Sequence, residues 1–369
     1  MTRRDKEERL QGIITTGAKL FYRFSNADGK TWLMPARNMQ VGMNLYQPSG
    51  KKGKLVKALF PILHNLPFVR SAIHAEILRC DLTDELVQML CLLFHENNLE
   101  FSIFCGTPCV HQKITMQLSK GNRILGYCKL TDSDEIAMLF DSESKILSEF
   151  AQKGVTGIPE CLFCGKLKNG INLFIQNTVK TGKSRVLHRW TSLHDDFLDI
   201  LYRNTRKSLV FEDSDYYRTL IELKFHMDWL PEGIDRTSII HIIDQLLARY
   251  QYQTVEFSAY HADFTPWNMF VENGKLFVFD WEYARLTYPP FLDHYHFFTQ
   301  TAIFERHWQA DEIIVFLQSS EANWVDKETY VFYLLDVIAR FTLREKGNVT
   351  DDILRSMKIW NDLLIYLCR

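Results

Sequence analysis

The residues with the most chemical potential stand in one short stretch, Tyr260-His261-Ala262-Asp263-Phe264-Thr265-Pro266-Trp267-Asn268, followed by Asp280-Trp281-Glu282. Between them Asn273-Gly274 splits two apolar runs, Met269–Val271 and Leu276–Phe279, which predicts a tight β-hairpin. A two-residue turn pairs Glu272 with Lys275 and, counted back, sets Asn268 beside Phe279. Asn268 and Asp280 therefore meet at the open end of the hairpin. Strict alternation would aim them at opposite faces, so they converge only if the ladder ends, bulges or twists there. Pro266, which has no N–H to give, makes such an end expected. An amide and a carboxylate at that point supply hard oxygen ligands suited to Mg²⁺, with water and phosphate oxygens filling the other octahedral positions. Asp263, on the loop leading in, is placed to accept a proton from an attacking hydroxyl or to orient it. His261 faces away by alternation and reads as a brace for the loop.

The spacing His-x-Asp-x-x-x-x-Asn, with an Asp in a following hairpin, matches a kinase catalytic loop and its metal-binding Asp. Asp280-Trp281-Glu282 stands where protein kinases carry Asp-Phe-Gly, and Ala262 replaces their Arg. On these motifs the sequence resembles the aminoglycoside phosphotransferase and choline kinase-like family of small-molecule kinases, over about residues 101–300. The resemblance implies a protein-kinase-like bilobal α+β fold, a small antiparallel β-sheet N-lobe with one helix and a larger, mainly helical C-lobe. It also implies ATP and Mg²⁺ as cofactors and a small-molecule hydroxyl as acceptor. Asp263 would be the catalytic residue and Asn268 and Asp280 the metal ligands. Lys129 would hold ATP phosphates and pair with Glu143. Tyr127 would stack on adenine, backbone near Gly106 would touch phosphate, and Gln176 would lie at the inter-lobe hinge. Asp293, like His261, would be structural support, bracing the catalytic loop.

The elements that must position these residues are partly visible. Ile114, Met116 and Leu118 alternate with polar residues as in a half-buried strand, a turn at 119–122 leads to a second strand at Ile124–Leu130, and Asn169-Gly170 marks another hairpin. A helix over about 134–151 sets Ile136, Phe140, Leu147 and Phe150 on one stripe, and Glu143 falls within it. A carboxylate on an apolar stripe is costly unless paired. Helical patterns cover 83–96, 187–204, 214–228, 236–251, 291–307, 327–346 and 351–367. The expected division is an N-terminal accessory region at 1–100, an N-lobe at 101–182 and a helical C-lobe at 183–369.

Composition narrows the class. The 369 residues exceed what one core usually supports, and 43 Lys plus Arg against 45 Asp plus Glu leave no long-range field for nucleic acid. Eight cysteines inside mostly apolar runs read as reduced thiols, including the lone Cys161-x-x-Cys164, and with no signal peptide visible a cytoplasmic location is expected. No run is long enough to span a membrane. Leu55–Ile73, entered through Lys51, Lys52, Lys54 and Lys57, reads as a packed amphipathic helix, with a membrane-surface helix as the alternative. The acceptor is open among amino sugars, sugars, choline-like and other metabolite alcohols. A non-catalytic nucleotide-binding regulator and a protein kinase are the alternatives to a small-molecule kinase.

Overall fold

The computed structural model describes residues 12–48, 50–106 and 112–369. The chain divides into two compact units. The first takes residues up to Ala151, then Ile158–Arg185 and Val271–Phe277, and the second takes Gln152–Gly157, Val186–Phe270 and Val278–Arg369.

The first unit is built on one antiparallel sheet of eight strands: β1 (Ile14–Ser25), β2 (Thr31–Pro35), β3 (Glu76–Leu82), β4 (Glu100–Phe104), β5 (Ile114–Lys120), β6 (Arg123–Thr131), β7 (Cys161–Lys166) and β8 (Asn172–Asn177). Their spatial order is β3-β1-β2-β4-β5-β6-β8-β7. The sequence boundary at residue 100 is therefore corrected. Trp32 pairs with Phe104 and Leu33 with Ile103, so β1–β3 continue the sheet of β4–β8 and do not form a separate region. β-branched and aromatic residues of both stretches share one core, with Phe21, Leu33, Phe101, Met116, Leu118 and Ile175 all buried in it.

Among the described residues five helices accompany this sheet: α1 (Met39–Gly42), α2 (Lys51–Leu63), α3 (Pro67–Ala72), α4 (Asp84–Phe94) and α5 (Asp134–Gln152). Leu86 and Leu90 bury one face of α4, and Asp84 and Glu85 in its first turn suit the helix dipole. The single helix expected over 55–73 is two helices. Arg70 on α3 donates to the carbonyls of His64 (3.1 Å) and Asn65 (2.8 Å), fixing the corner between them.

The second unit is mainly helical: α6 (Ser192–Thr205), α7 (Asp215–Phe225), α8 (Arg236–Tyr250), α9 (Leu292–Phe304), α10 (Ala310–Leu317), α11 (Lys327–Glu345) and α12 (Asp351–Leu367). α6 starts five residues later than its periodicity suggests, because Thr191 caps it in a reciprocal box with His194. A three-stranded sheet, ordered β13 (Arg285–Tyr288), β10 (Thr254–Tyr260), β9 (Lys207–Val210), interrupts the helices. β10 delivers the chain directly to His261. The hairpin is β11 (Met269–Glu272) and β12 (Lys275–Val278), and its segment Val271–Phe277 belongs to the first unit. α11 is the core helix, with Tyr330, Tyr333, Leu334, Leu335, Val337 and Ile338 fully buried. Among the described residues no helix is long and apolar enough to cross a membrane.

Candidate active site

In the sheet unit, Lys129 lies on β6 with its side chain toward α5. Its Nζ meets Glu143 Oε2 at 2.6 Å, with the two side chains 7% and 0% exposed. The apolar stripe of α5 thus carries its one carboxylate into a buried ion pair, with the partner that the family resemblance implies. Phe174, opposite Lys129 in the ladder, presents its ring 5.3 Å from the ammonium. Tyr127 pairs across with Gln176, so the two share a face with Lys129. Burial pushes the Tyr127 hydroxyl up. Gln176 is buried and its Oε1 has no hydrogen-bond partner, which marks a polar atom awaiting a donor. Gly106 adopts φ +60°, and a Cβ there would sit 2.9 Å from the Lys113 carbonyl oxygen, so a side chain at this position is excluded. The rest of that loop, including Thr107 and Pro108, lies outside the described residues. The Cys161 and Cys164 thiols face α5, contacting Ser144 Oγ (3.3 Å) and Asp141 Oδ1 (3.4 Å), and neither is in a disulfide. Burial pushes the Cys164 thiol up to about 12, which makes it a poor nucleophile or metal ligand.

In the helical unit, the loop 261–268 is held from several directions. His261 is fully buried, and burial pulls its ring down to about 4, so it is neutral. Its Nδ1 accepts the Asp263 N–H at 3.1 Å, which leaves Nε2–H to donate to the Phe279 carbonyl at 3.1 Å. These two bonds tie the loop to the residue that follows β12. Asp293, at the start of α9, accepts the N–H groups of His261 (2.8 Å) and Ala262 (3.2 Å), and burial pushes its carboxyl up to about 7. Ala262 has φ +68°, a strained value for a residue with a Cβ. Arg340 on α11 donates to the Ala262 carbonyl, so both polar groups of this residue are tied down.

Asp263 presents its carboxylate to two neighbours. Oδ2 accepts the Asn268 amide N–H at 2.7 Å, and Oδ1 faces His296 Nε2 at 3.3 Å. Burial works to raise this carboxyl, but the hydrogen bond from His296 and the nearby Arg340 guanidinium act against it, and the group lies below its usual range. The group is therefore an anion at neutral pH. Asn268 spends its nitrogen on Asp263, including the Asp263 backbone carbonyl at 3.0 Å, which leaves the amide oxygen as its ligand-capable atom. The Phe279 N–H donates to the Asn268 carbonyl at 3.0 Å, so the register is the expected one. The ladder ends there, and Asp280 turns into the left-handed region at φ +70°. Glu282, two residues on, is a second carboxylate, 6% exposed.

Two contributors were not singled out from sequence. His296 follows Asp293 by three residues on α9, so helical spacing puts both near the loop that Asp293 was expected to brace. Arg340 has no motif around it; it lies four residues after the buried Asp336, whose carboxylate it approaches at 3.7 Å.

No protein-family model and no curated protein matches the chain. Solved structures do. A thermostable mutant of aminoglycoside phosphotransferase APH(4)-Ia, in ternary complex with AMP-PNP and hygromycin B, aligns at TM-score 0.50 and 14% identity, over 77% of this chain and 98% of its own. Choline kinase LicA from Streptococcus pneumoniae aligns at TM-score 0.46 and 15% identity, over 76% and 98%. A putative fructosamine-3-kinase from Haemophilus somnus 129PT aligns at 0.45 and 12%, over 76% and 97%. Likeness at such identities speaks to the fold alone. The alignment with the aminoglycoside phosphotransferase shows a protein-kinase-like fold, here an antiparallel sheet unit that encloses the Lys129–Glu143 pair and a helical unit that clamps the 261–268 loop.

Proposed function

We propose that this protein is an ATP-dependent phosphotransferase that phosphorylates a hydroxyl of a small molecule. The observation that carries this reading is the Asp263–Asn268 pair: an ionised carboxylate fixed at 2.7 Å by the amide whose oxygen is left to bind a cation. An anion of low basicity does little proton abstraction early in a reaction. Phosphoryl transfer through a loose transition state asks for little, since the hydroxyl needs orienting first and deprotonating late. Asp263 would accept the hydroxyl proton as the acceptor oxygen bonds to the γ-phosphorus and the bond to ADP breaks. The proton then leaves to solvent.

The donor set fits Mg²⁺, because an amide oxygen from Asn268 and a carboxylate from Asp280 are hard ligands, and Glu282 adds a nearby carboxylate. When bound, that ion would neutralise charge on the phosphates. Lys129, aimed by Glu143 at 2.6 Å, is suited to phosphate oxygens. Tyr127 and Gln176, on the same face of the sheet, offer a ring and an unsatisfied acceptor to a nucleobase. The acceptor class stays at the level of metabolite alcohols.

The test is ADP release from Mg·ATP across amino sugars, sugars, choline-like alcohols and nucleosides. One acceptor should raise ADP release well above the rate with water. Asp263→Ala should then lower turnover by a factor on the order of 10²–10⁴ while ATP affinity holds. Undiminished turnover would remove Asp263 from its role, and ATP binding with no turnover on any acceptor would favour a non-catalytic regulator.

A further inference from the structure

α2 and α3 bury little of their apolar surface. Phe60 is their only fully buried residue, 1% exposed, whereas Leu55 is 59%, Leu59 42%, Ile62 72%, Leu66 39% and Phe68 69% exposed. Leu55, Leu59 and Ile62 fall within a sector of about 60° on α2, opposite Phe60, and exposed Lys51 and Lys52 flank that sector. The apolar stripe is therefore turned away from the core. Packing against this chain, the reading favoured by sequence, does not account for it.

The charge around the stripe is one-sided. Residues 29–75 contain no Asp or Glu and seven Lys or Arg, in a chain whose net charge is −2. Lys51, Lys52 and Lys54 crowd the first turn of α2, whose N-cap is Gly50 with no capping side chain. Cations are unfavourable at that end of a helix, where the macrodipole and free N–H groups attract anions. An anionic partner laid over this end would relieve the conflict.

We infer that α2 and α3 form a docking face for an anionic lipid bilayer, with Leu55, Leu59, Ile62, Leu66 and Phe68 entering the headgroup–acyl boundary and Lys51, Lys52 and Lys54 meeting lipid phosphates. A lipid surface satisfies both features together, because it offers apolar depth and negative charge side by side. A soluble polyanion answers only the lysines. A second copy of this chain brings the same cations to its own face and would repel. Pro61 within α2 and the corner fixed by Arg70 set the two helices as a bent pair, a shape that lies along a surface better than it spans one. The inference does not depend on the phosphotransferase reading.

Co-sedimentation of the full chain with vesicles decides it. Vesicles of phosphatidylcholine with roughly 30% phosphatidylglycerol should pellet the protein and pure phosphatidylcholine should not, with binding falling between about 0.1 M and about 1 M NaCl. The variant Lys51→Glu/Lys52→Glu/Lys54→Glu and the variant Leu55→Gln/Ile62→Gln/Phe68→Gln should each bind at least about tenfold more weakly, with the thermal unfolding temperature not lowered and ADP release unchanged. Three results would overturn the proposal. One is equal or absent pelleting of the natural sequence with both lipids. Another is undiminished binding by the glutamine variant, which would mean charge attraction alone. The last is a dimer that Phe68→Gln dissociates while no vesicle binding is seen.

Discussion

The two units manage buried charge in opposite ways. The sheet unit encloses Lys129 and Glu143 as a direct pair, 2.6 Å apart. The helical unit encloses a dispersed set, Asp263, Asp293, His296, Asp336 and Arg340, linked largely through the backbone of one loop. A direct pair fixes two side chains. A set routed through backbone groups fixes a chain conformation, here the left-handed Ala262 that precedes Asp263. Each unit uses the device its task requires, a positioned ammonium in one and a positioned loop in the other.

The contrast is broken most forcefully at Lys129. Lys129→Met leaves the Glu143 carboxylate buried without its cation, which should cost the sheet unit about 3–5 kcal/mol. Adding Glu143→Leu removes the stranded charge and should restore most of that stability, but not ATP affinity. Denaturant melts of the two variants check this. If Lys129→Met melts like the natural sequence, the pair has no structural weight and the comparison fails on the sheet side.

Acidification tests the helical side. Burial pulls His261 to about 4, and burial likewise pulls His294 to about 4 where it stacks 4.0 Å from Trp190 and 4.2 Å from Trp324. A histidine whose folded pKa lies below its unfolded value contributes stability above about pH 6.5 and loses it as pH falls toward 4. Burial shifts Asp293 upward, to about 7, so its contribution has the opposite sign: present at low pH and lost as pH rises through 7. Two histidines against one aspartate leave a net loss on the order of 3 kcal/mol between pH 6.5 and 4. Of eight tryptophans only Trp32 lies outside the helical unit, so indole fluorescence during urea unfolding reports on it. Asp293→Asn should steepen the decline, because the offsetting group is gone. A flat profile from pH 6.5 to 4 would show that these histidines are not neutral by burial.

The same contrast explains what was legible. Lys129 and Glu143 lie 14 residues apart on adjacent elements; the helical stripe shows that Glu143 needs a partner, and the family resemblance names Lys129. The 261–268 loop was legible because its residues are contiguous and the Asn273-Gly274 turn fixes the hairpin register. The network beneath it was not, because 261–268, 293–296 and 336–340 are joined only by tertiary packing, and no local pattern records which helix reaches which carbonyl. β1–β3 were missed for a related reason: β1 bulges between Thr16 and Leu20 and pairs with β3 across some 60 residues, so neither alternation nor a short turn announces it.

His296 sharpens the comparison at smaller scale. Its Nδ1 has no hydrogen-bond partner, and burial keeps the ring neutral, so Nε2–H toward Asp263 is its one useful bond. His296→Gln keeps a donor, and His296→Phe does not. We expect kcat to fall about tenfold in the phenylalanine variant and to recover partly in the glutamine variant, with the KM for ATP unchanged in both. A parallel rise in KM would mean that His296 acts on the fold at large and not on the carboxylate.

The smallest effect belongs to Ala262. Glycine adopts φ +68° without strain, yet it loosens the unfolded chain, and these terms are each roughly 1 kcal/mol and opposed. If Asp293 on the N–H and Arg340 on the carbonyl already determine this backbone, Ala262→Gly should change stability by less than about 0.5 kcal/mol. Turnover should then stay within about twofold, since the clamps and not the Cβ hold the loop. A large loss of turnover at unchanged stability would show that the loop needs the stiffness of alanine as well, and that routing charge through backbone groups does not by itself hold Asp263 in place.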